Sequence, residues 1–195
     1  MPSIWNHPSS LLRFTGTAAI GLTADLALKA WAQQRLASPD PDLRGPIMPI
    51  IPGWLELQYT DNHGAALGFL QGYRWMFLSV SVVAVAFLAY LFSASRKDQP
   101  GLQIILGMLL AGVLGNLYDR VYLGYVRDMI HIFPGHRWPD AIAQHLPAFW
   151  TTPEWFPWIF NIADSLLCVG VALMLIHGMI HAPKPAPEAP AQQPS

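Results

Sequence analysis

Two groups of polar residues lie at the ends of otherwise apolar segments, and they contain the acids and amides that catalysis uses. One group occupies positions 115–120 (GNLYDR) and 126–128 (VRD), and the other occupies 160–165 (FNIADS). Carboxylates and amides are costly in or beside hydrocarbon, so their presence there indicates a function. Two such groups at the same depth in a membrane predict one site that uses a pair of acids.

Asp128 and Asp164 are the two acids that we expect to form this pair. Two close carboxylates in a poorly solvated site cannot both ionise easily, so one pKa rises and the pair shares a proton. The ionised member can then activate a water molecule while the protonated member donates a proton, which is the chemistry of aspartic proteases. Asn116 and Asn161 would hydrogen-bond to a substrate backbone or orient a carboxylate.

Each of these residues also has a purely structural interpretation. Asn116, Asp119 and Arg120 line one face of a predicted helix. Arg120 would either hold Asp119 in place, as an ion pair at the helix end, or bind a carbonyl or phosphate of a substrate. The asparagines would serve equally well as hydrogen bonds between helices. Asp128 alone would more often be solvated than catalytic, whereas Asp164 lies inside a predicted span and is harder to explain.

The composition places these groups in an integral membrane protein. Of the 195 residues, 53% are hydrophobic and only 12% are charged, and the mean hydropathy is +0.32. This charged fraction is about half that of soluble domains. The formal net charge of -1 argues against nucleic-acid binding. The single cysteine, Cys168, lies in an apolar run and can form no internal disulfide.

Four apolar segments are long enough to cross a membrane as helices, which requires about 20 residues each. We predict spans at about 12–32, 75–95, 99–120 and 157–180, with connections at about 33–73 and 121–156. The first span contains Asp25 and Lys29, which share a helix face and can form a structural pair. Short β-prone runs at 47–51 and 54–60 predict a small sheet on the membrane surface.

Four alternating spans place both termini on one side of the membrane and the polar residues on the other. The residues that converge on that second side are Lys29, Asn62, Asn116, Asp119, Arg120, Asp128, Asn161 and Asp164. The number of basic residues does not decide the orientation, but the pair Arg96–Lys97 in a very short turn favours a cytoplasmic first side. We expect residues 1–181 to form one domain and the Pro- and Ala-rich tail, 182–195, to be disordered.

Taken in order, these motifs resemble those of signal peptidase II, the bacterial lipoprotein signal peptidase, which is an intramembrane aspartic protease. The matching pieces are DLALK at 25–29, NHGAA at 62–66, GNLYDR at 115–120 with GYVRD at 124–128, and FNIADS at 160–165. One short motif would be weak evidence, whereas four in the family's order are highly specific. The interval between Asp128 and Asp164 is long for the family, so the stretch at about 131–152 would form an enlarged flap or helix.

The resemblance implies an all-α integral membrane protein of four transmembrane helices with a small periplasmic or extracellular β-cradle. It implies that Asp128 and Asp164 are the catalytic dyad. Other positions match residues that bind the substrate or the inhibitor globomycin, or that shape the site: Asn62, Gly64, Asn116, Asp119, Arg120, Asn161 and Ser165. The implied substrate is a prolipoprotein with diacylglycerol on its cysteine, cut just before that cysteine without a metal or organic cofactor.

The same resemblance implies a location in the bacterial inner membrane, with both termini cytoplasmic and the site near the periplasmic leaflet. We expect a monomer surrounded by membrane lipids. Two other functions compete with the protease. A proton- or ion-coupled carrier would need polar residues distributed along the spans. A non-enzymatic scaffold would not need two Asn-x-x-Asp units. The spacing of His131, His136 and His145 fits no standard zinc site, so we expect no metal.

Overall fold

In the residues that it describes, the computed structural model contains four long helices and a small antiparallel sheet. It describes residues 7–40, 43–64, 74–147, 150 and 152–181, so the predicted disordered tail and part of the first predicted connection lie outside the described residues. The elements in chain order are α1 (Pro8–Leu36), β1 (Met48–Ile51), β2 (Leu55–Asn62), α2 (Arg74–Ala94), α3 (Pro100–Tyr122), β3 (Val126–Ile132), α4 (Asp140–Ala143), β4 (Ile159–Phe160) and α5 (Ile162–Ile180).

Helices α1, α2, α3 and α5 are long and apolar enough to cross a membrane, which confirms the predicted fold class. With 29 residues at about 1.5 Å each, α1 is roughly 43 Å long, more than the ~30 Å of a bilayer's hydrocarbon. Its last turns pack under the sheet, where Ala32 and Leu36 contact Met129. The extra length of α1 therefore supports the sheet.

The fourth span begins later than we predicted. Helix α5 starts at Ile162 rather than near position 157, because Ile159–Phe160 form strand β4 and Asn161 caps the helix. A short apolar run suits a buried helix or a strand equally well, and only the pairing with β3 decides between them.

Helix α3 is the centre of the bundle and packs against α1, α2 and α5. Half of its apolar window is buried inside the protein, against 17% or less for the other three helices. A Cβ atom on Gly112 would lie 2.6 Å from the carbonyl oxygen of Ala163, so only glycine permits this approach of α5. An apolar cluster fills the other part of the bundle: Phe14, Leu88, Phe92, Ile105, Leu106 and Leu109.

The sheet has the strand order β1-β2-β3-β4, with every neighbouring pair antiparallel. Strands β1 and β2 confirm the two strands predicted from the sequence. Thr60 of β2 pairs with Asp128 of β3, and Glu56 pairs with His131. Because β4 pairs with β3 just before α5 begins, the start of α5 lies beside Asp128.

The long stretch between β3 and β4 folds back onto the sheet. The described residues of this β3–β4 loop (133–147, 150 and 152–158) contain the four-residue helix α4 and a backbone bridge between Arg137 and Glu154. Phe133 donates its backbone N–H to the carbonyl of Trp54, and the rings of these two residues lie 5.6 Å apart. The loop is thereby anchored to the turn between β1 and β2.

Candidate active site

Asp128 lies on β3 and is only 1% exposed. Its Oδ2 accepts a hydrogen bond from Asn62 Nδ2 at 2.8 Å, and its Oδ1 accepts one from Asn161 Nδ2 at 2.6 Å. Burial, and next the charge of Asp164, raise the pKa of Asp128 to about 7, although the two amide donors act in the opposite direction. Asp128 can therefore hold or release a proton near neutral pH.

Asp164 lies in the first turn of α5, where a capping box fixes it. Its Oδ2 accepts the backbone N–H of Asn161 at 3.2 Å, while Asn161 Oδ1 accepts the backbone N–H of Asp164 at 2.9 Å. Asn116 of α3 donates to Asp164 Oδ1 at 2.7 Å. Asn161 and Asp164 form one of the two Asn-x-x-Asp units in the sequence, and this spacing is also typical of a capping box at a helix N-terminus. The capping box therefore holds the Asp164 carboxylate in place.

Two asparagines connect the two acids. Asn161 is fully buried and Asn116 nearly so, and Asn161 Nδ2 donates to Asn116 Oδ1 at 3.2 Å. Each asparagine also donates to one of the aspartates. The structure thus brings Asp128 and Asp164 into one hydrogen-bonded cluster, which is built from β3, α3 and the start of α5.

Asp25 and Lys29 form the predicted pair, with Lys29 Nζ 2.8 Å from Asp25 Oδ2 and both side chains fully buried. Their role extends beyond the prediction, because Lys29 Nζ also donates to Asn116 Oδ1 at 2.9 Å and lies 3.4 Å from Asp119 Oδ2. Asp25 Oδ1 accepts the backbone N–H of Ala163 at 2.8 Å. The pair therefore ties α1 to both α3 and α5 beneath the acids.

Asp119 is held by Arg127, a partner that the sequence analysis did not name. Arg127 Nη2 lies 2.6 Å from Asp119 Oδ1, and the backbone N–H of Arg127 donates to Asp119 Oδ2 at 3.0 Å. The sequence analysis did not identify Arg127 as a site residue. Arg127 precedes Asp128 on the same strand, so its side chain points to the face of the strand opposite Asp128.

The guanidinium of Arg120 lies 4.8 Å from the centre of the Phe77 ring. It lines a small cavity of about 120 Å³ together with Asn62 and Gly64. Gly64 has a φ of 96° and donates its backbone N–H to Asn62 Oδ1 at 2.9 Å, so a tight glycine turn orients the amide that binds Asp128.

Ser165 and the histidines lie around this cluster rather than in it. Ser165 Oγ donates to the backbone carbonyl of Asn161 at 3.1 Å, within α5. His131 pairs with Glu56 at 2.9 Å, and His136 packs against Trp155. Within the part of the chain that the structure describes, no group of three or more His, Cys, Asp or Glu residues could hold a metal ion. The arrangement offers a buried carboxylate on Asp128 and a half-buried one on Asp164, each with an amide donor.

Comparison with known proteins relates the chain to membrane enzymes. A family model described as signal peptidase (SPase) II matches residues 17–180. The chain is 34% identical to the lipoprotein signal peptidase of Geobacter metallireducens, over 84% of this chain and 88% of that protein. It is 31% identical to that of Serratia proteamaculans, over 88% and 89% of the two chains. A bacterial membrane enzyme solved by the in meso method has a TM-score of 0.65 and 27% identity, covering 91% of this chain and 96% of that one.

Proposed function

The chain belongs to the signal peptidase II family, and on that premise we propose that it is an intramembrane aspartic endopeptidase with Asp128 and Asp164 as its catalytic dyad. The observation that carries the proposal is the hydrogen-bonded cluster in which the buried Asn116 and Asn161 connect the two acids. The pKa of Asp128, raised to about 7 by burial and by the charge of Asp164, gives one of the acids a proton to donate near neutral pH.

In the proposed reaction, Asp164 acts as the general base and takes a proton from a water molecule as the water oxygen bonds to the scissile carbonyl carbon. Asp128 donates its proton to the carbonyl oxygen. When the tetrahedral intermediate collapses, the C–N bond breaks and the leaving nitrogen takes the proton that Asp164 has received, while Asp128 regains its own. No cofactor enters this scheme.

The proposed substrates are prolipoproteins that carry diacylglycerol on their cysteine, with cleavage just before that cysteine. The relatives are lipoprotein signal peptidases by name, which supports this substrate class. The acids lie just beyond the end of α3 and in the first turn of α5, so they belong to one end of the bundle. A lipid anchor would hold the scissile bond at a fixed depth there, and globomycin would bind the same place as an inhibitor.

We place the enzyme in the bacterial inner membrane as a monomer surrounded by lipids, with both termini cytoplasmic and the dyad near the periplasmic leaflet. The alternative of an ion-coupled carrier requires a polar route along the spans. An apolar cluster that includes Phe14, Phe92 and Leu106 instead fills the bundle away from the acids. This arrangement favours a site that opens to one side only.

The proposed dyad is tested by cleavage of a diacylglyceryl-modified prolipoprotein by the purified wild type, Asp128→Asn and Asp164→Asn in detergent or lipid. Asparagine keeps the size of each side chain but removes the acid, so both folded variants should be inactive. Asp140→Asn changes an exposed acid on α4 and serves as the matched control. Cleavage near the wild-type rate by either dyad variant would remove that residue from the dyad. A folded wild type that never cuts would refute the protease assignment.

A further inference from the structure

The end of the bundle opposite the proposed dyad holds an arginine, Arg13, in a fixed position. Arg13 lies on α1, and its Nε donates to Oε1 of Gln103 on α3 at 2.8 Å. Its Nη2 donates to the backbone carbonyl of Lys97 at 3.3 Å and to Ser10 Oγ at 3.5 Å. Ser10 and Gln103 are fully buried, so polar groups inside the protein orient the guanidinium.

The hydrogen-bond partners of Arg13 are all neutral. Three other basic residues each contact a carboxylate: Lys29 with Asp25, Arg96 with Asp98, and Arg127 with Asp119. Among the described residues, no carboxylate oxygen lies within 4.0 Å of the side-chain nitrogens of Arg13 or Lys97. Neither α1 nor α3 has an acidic residue in its first turn. The charges of Arg13 and Lys97 are therefore left without an acid partner.

The depth of Arg13 in the bundle corresponds to the headgroup layer of a membrane. Its partner Gln103 is the fourth residue of α3, whose 23 residues are roughly 35 Å long at 1.5 Å each. The hydrocarbon of a bilayer is about 30 Å thick, so the first turn of α3 reaches its edge. Asn116, which binds Asp164, lies roughly 20 Å from Gln103 along the same helix. The guanidinium is therefore far from the dyad and close to the opposite leaflet.

Arg13 and Lys97 both present donors to that layer. Arg13 is only partly buried, and its Nη1 donates to none of the described residues. Lys97 is exposed in the turn between α2 and α3. A guanidinium matches the spacing of two phosphate oxygens, and an ammonium adds a point charge.

We propose that Arg13 and Lys97 bind the phosphate group of an anionic phospholipid. Basic pockets between membrane helices bind acidic headgroups through such side chains. The bound lipid would connect α1 to the turn between α2 and α3 and would neutralise the charge that the protein leaves uncompensated. This site is separate from the dyad, so the inference does not depend on the protease assignment.

The test is thermal unfolding of the delipidated full-length protein in detergent, with three additives compared at constant ionic strength. Phosphatidylglycerol supplies an anionic phospholipid, phosphatidylcholine supplies the same phosphate with a compensating cation, and inorganic phosphate supplies the anion without acyl chains. At about ten times its Kd, phosphatidylglycerol should raise the melting temperature of the wild type by roughly 3–6 °C. The other two additives should raise it much less.

Two variants test the two side chains. Arg13→Gln and Lys97→Gln each remove one charge, which should weaken binding about fivefold and roughly halve the rise caused by phosphatidylglycerol. Lys97 is exposed, so Lys97→Gln stays informative even where the loss of Arg13 impairs folding. Arg35→Gln is the matched control, because Arg35 is an exposed arginine at the other end of α1, and this variant should keep the full rise.

The results that would overturn the inference are distinct. A wild type that does not respond to phosphatidylglycerol has no such site. An equal response to phosphatidylcholine would indicate a general effect of lipid, and an equal response to inorganic phosphate would indicate a site for free anions. An unchanged response in both Arg13→Gln and Lys97→Gln would place the binding elsewhere. None of these measurements uses peptide cleavage, so a failure here would leave the proposed function standing.

Discussion

Replacing Lys29 by methionine tests whether the buried ion network beneath the acids holds the helices together. Lys29 is fully buried, and its ammonium contacts Asp25 at 2.8 Å, Asn116 at 2.9 Å and Asp119 at 3.4 Å. Methionine has a similar length and fills the same space without the charge. The Lys29→Met variant therefore leaves a buried carboxylate on Asp25 without its cation and removes one hydrogen bond from Asn116.

The size of the effect follows from the burial of the pair. Removing one partner of a buried ion pair costs about 3–5 kcal/mol, because the other charge stays desolvated. For a chain of this length, 1 kcal/mol corresponds to about 2–4 °C in melting temperature, so we expect a decrease of roughly 6–20 °C. The double variant Asp25→Asn/Lys29→Met should recover part of this loss, since it removes both charges and leaves an oxygen for the N–H of Ala163.

The assay is thermal unfolding of detergent-solubilised protein at pH 7, followed by tryptophan fluorescence. Lys97→Met is the matched control, because Lys97 is an exposed lysine in the turn between α2 and α3, and its change should alter the melting temperature little. Two results would refute the reasoning. The first is a melting temperature of Lys29→Met within about 2 °C of the wild type, which corresponds to a loss of about 1 kcal/mol or less. The second is a double variant that is no more stable than the single variant Lys29→Met.

Three further predictions concern the proton on Asp128, the hydrogen bond from Asn62 and the packing at Gly115. Because the folded pKa of Asp128 is raised to about 7, its proton is held below that pH and lost above it, so kcat/KM should fall as the pH rises through about 7. Asn62→Ala removes a hydrogen-bond donor that favours the ionised form of Asp128. The decrease of kcat/KM at alkaline pH should therefore move to higher pH in a pH–rate profile of this variant. A shift to lower pH would contradict the assignment of that decrease to Asp128. In thermal unfolding, Gly115→Ala should destabilise the protein by about 1–3 kcal/mol, because the Cβ atom of the new alanine would overlap Asp25 Oδ2. Gly101→Ala is the control and should be neutral or slightly stabilising, because Gly101 has open space around it. Equal effects of the two substitutions would contradict the close packing at Gly115.

The sequence predicted the spans, the two first strands and the pair Asp25–Lys29 because each depends on local spacing. Apolar segment length predicts a membrane helix, and a separation of four residues places two side chains on one helix face. Alternation of four spans also predicted that Asp128 and Asp164 would lie on one side of the membrane. These inferences need no knowledge of how distant segments contact each other.

Other features depended on contacts between distant segments, and the sequence alone did not determine them. Arg127 binds Asp119 because β3 returns beside α3, and α5 begins at Ile162 because β4 pairs with β3. A cavity of about 710 Å³ beside the sheet likewise has both Asp40 and Glu154 in its wall, and only the folded β3–β4 loop brings these two residues together. One local sequence pattern is compatible with many partners for a charged side chain or a strand. Only the tertiary structure decides which of these partners lies within a few ångströms.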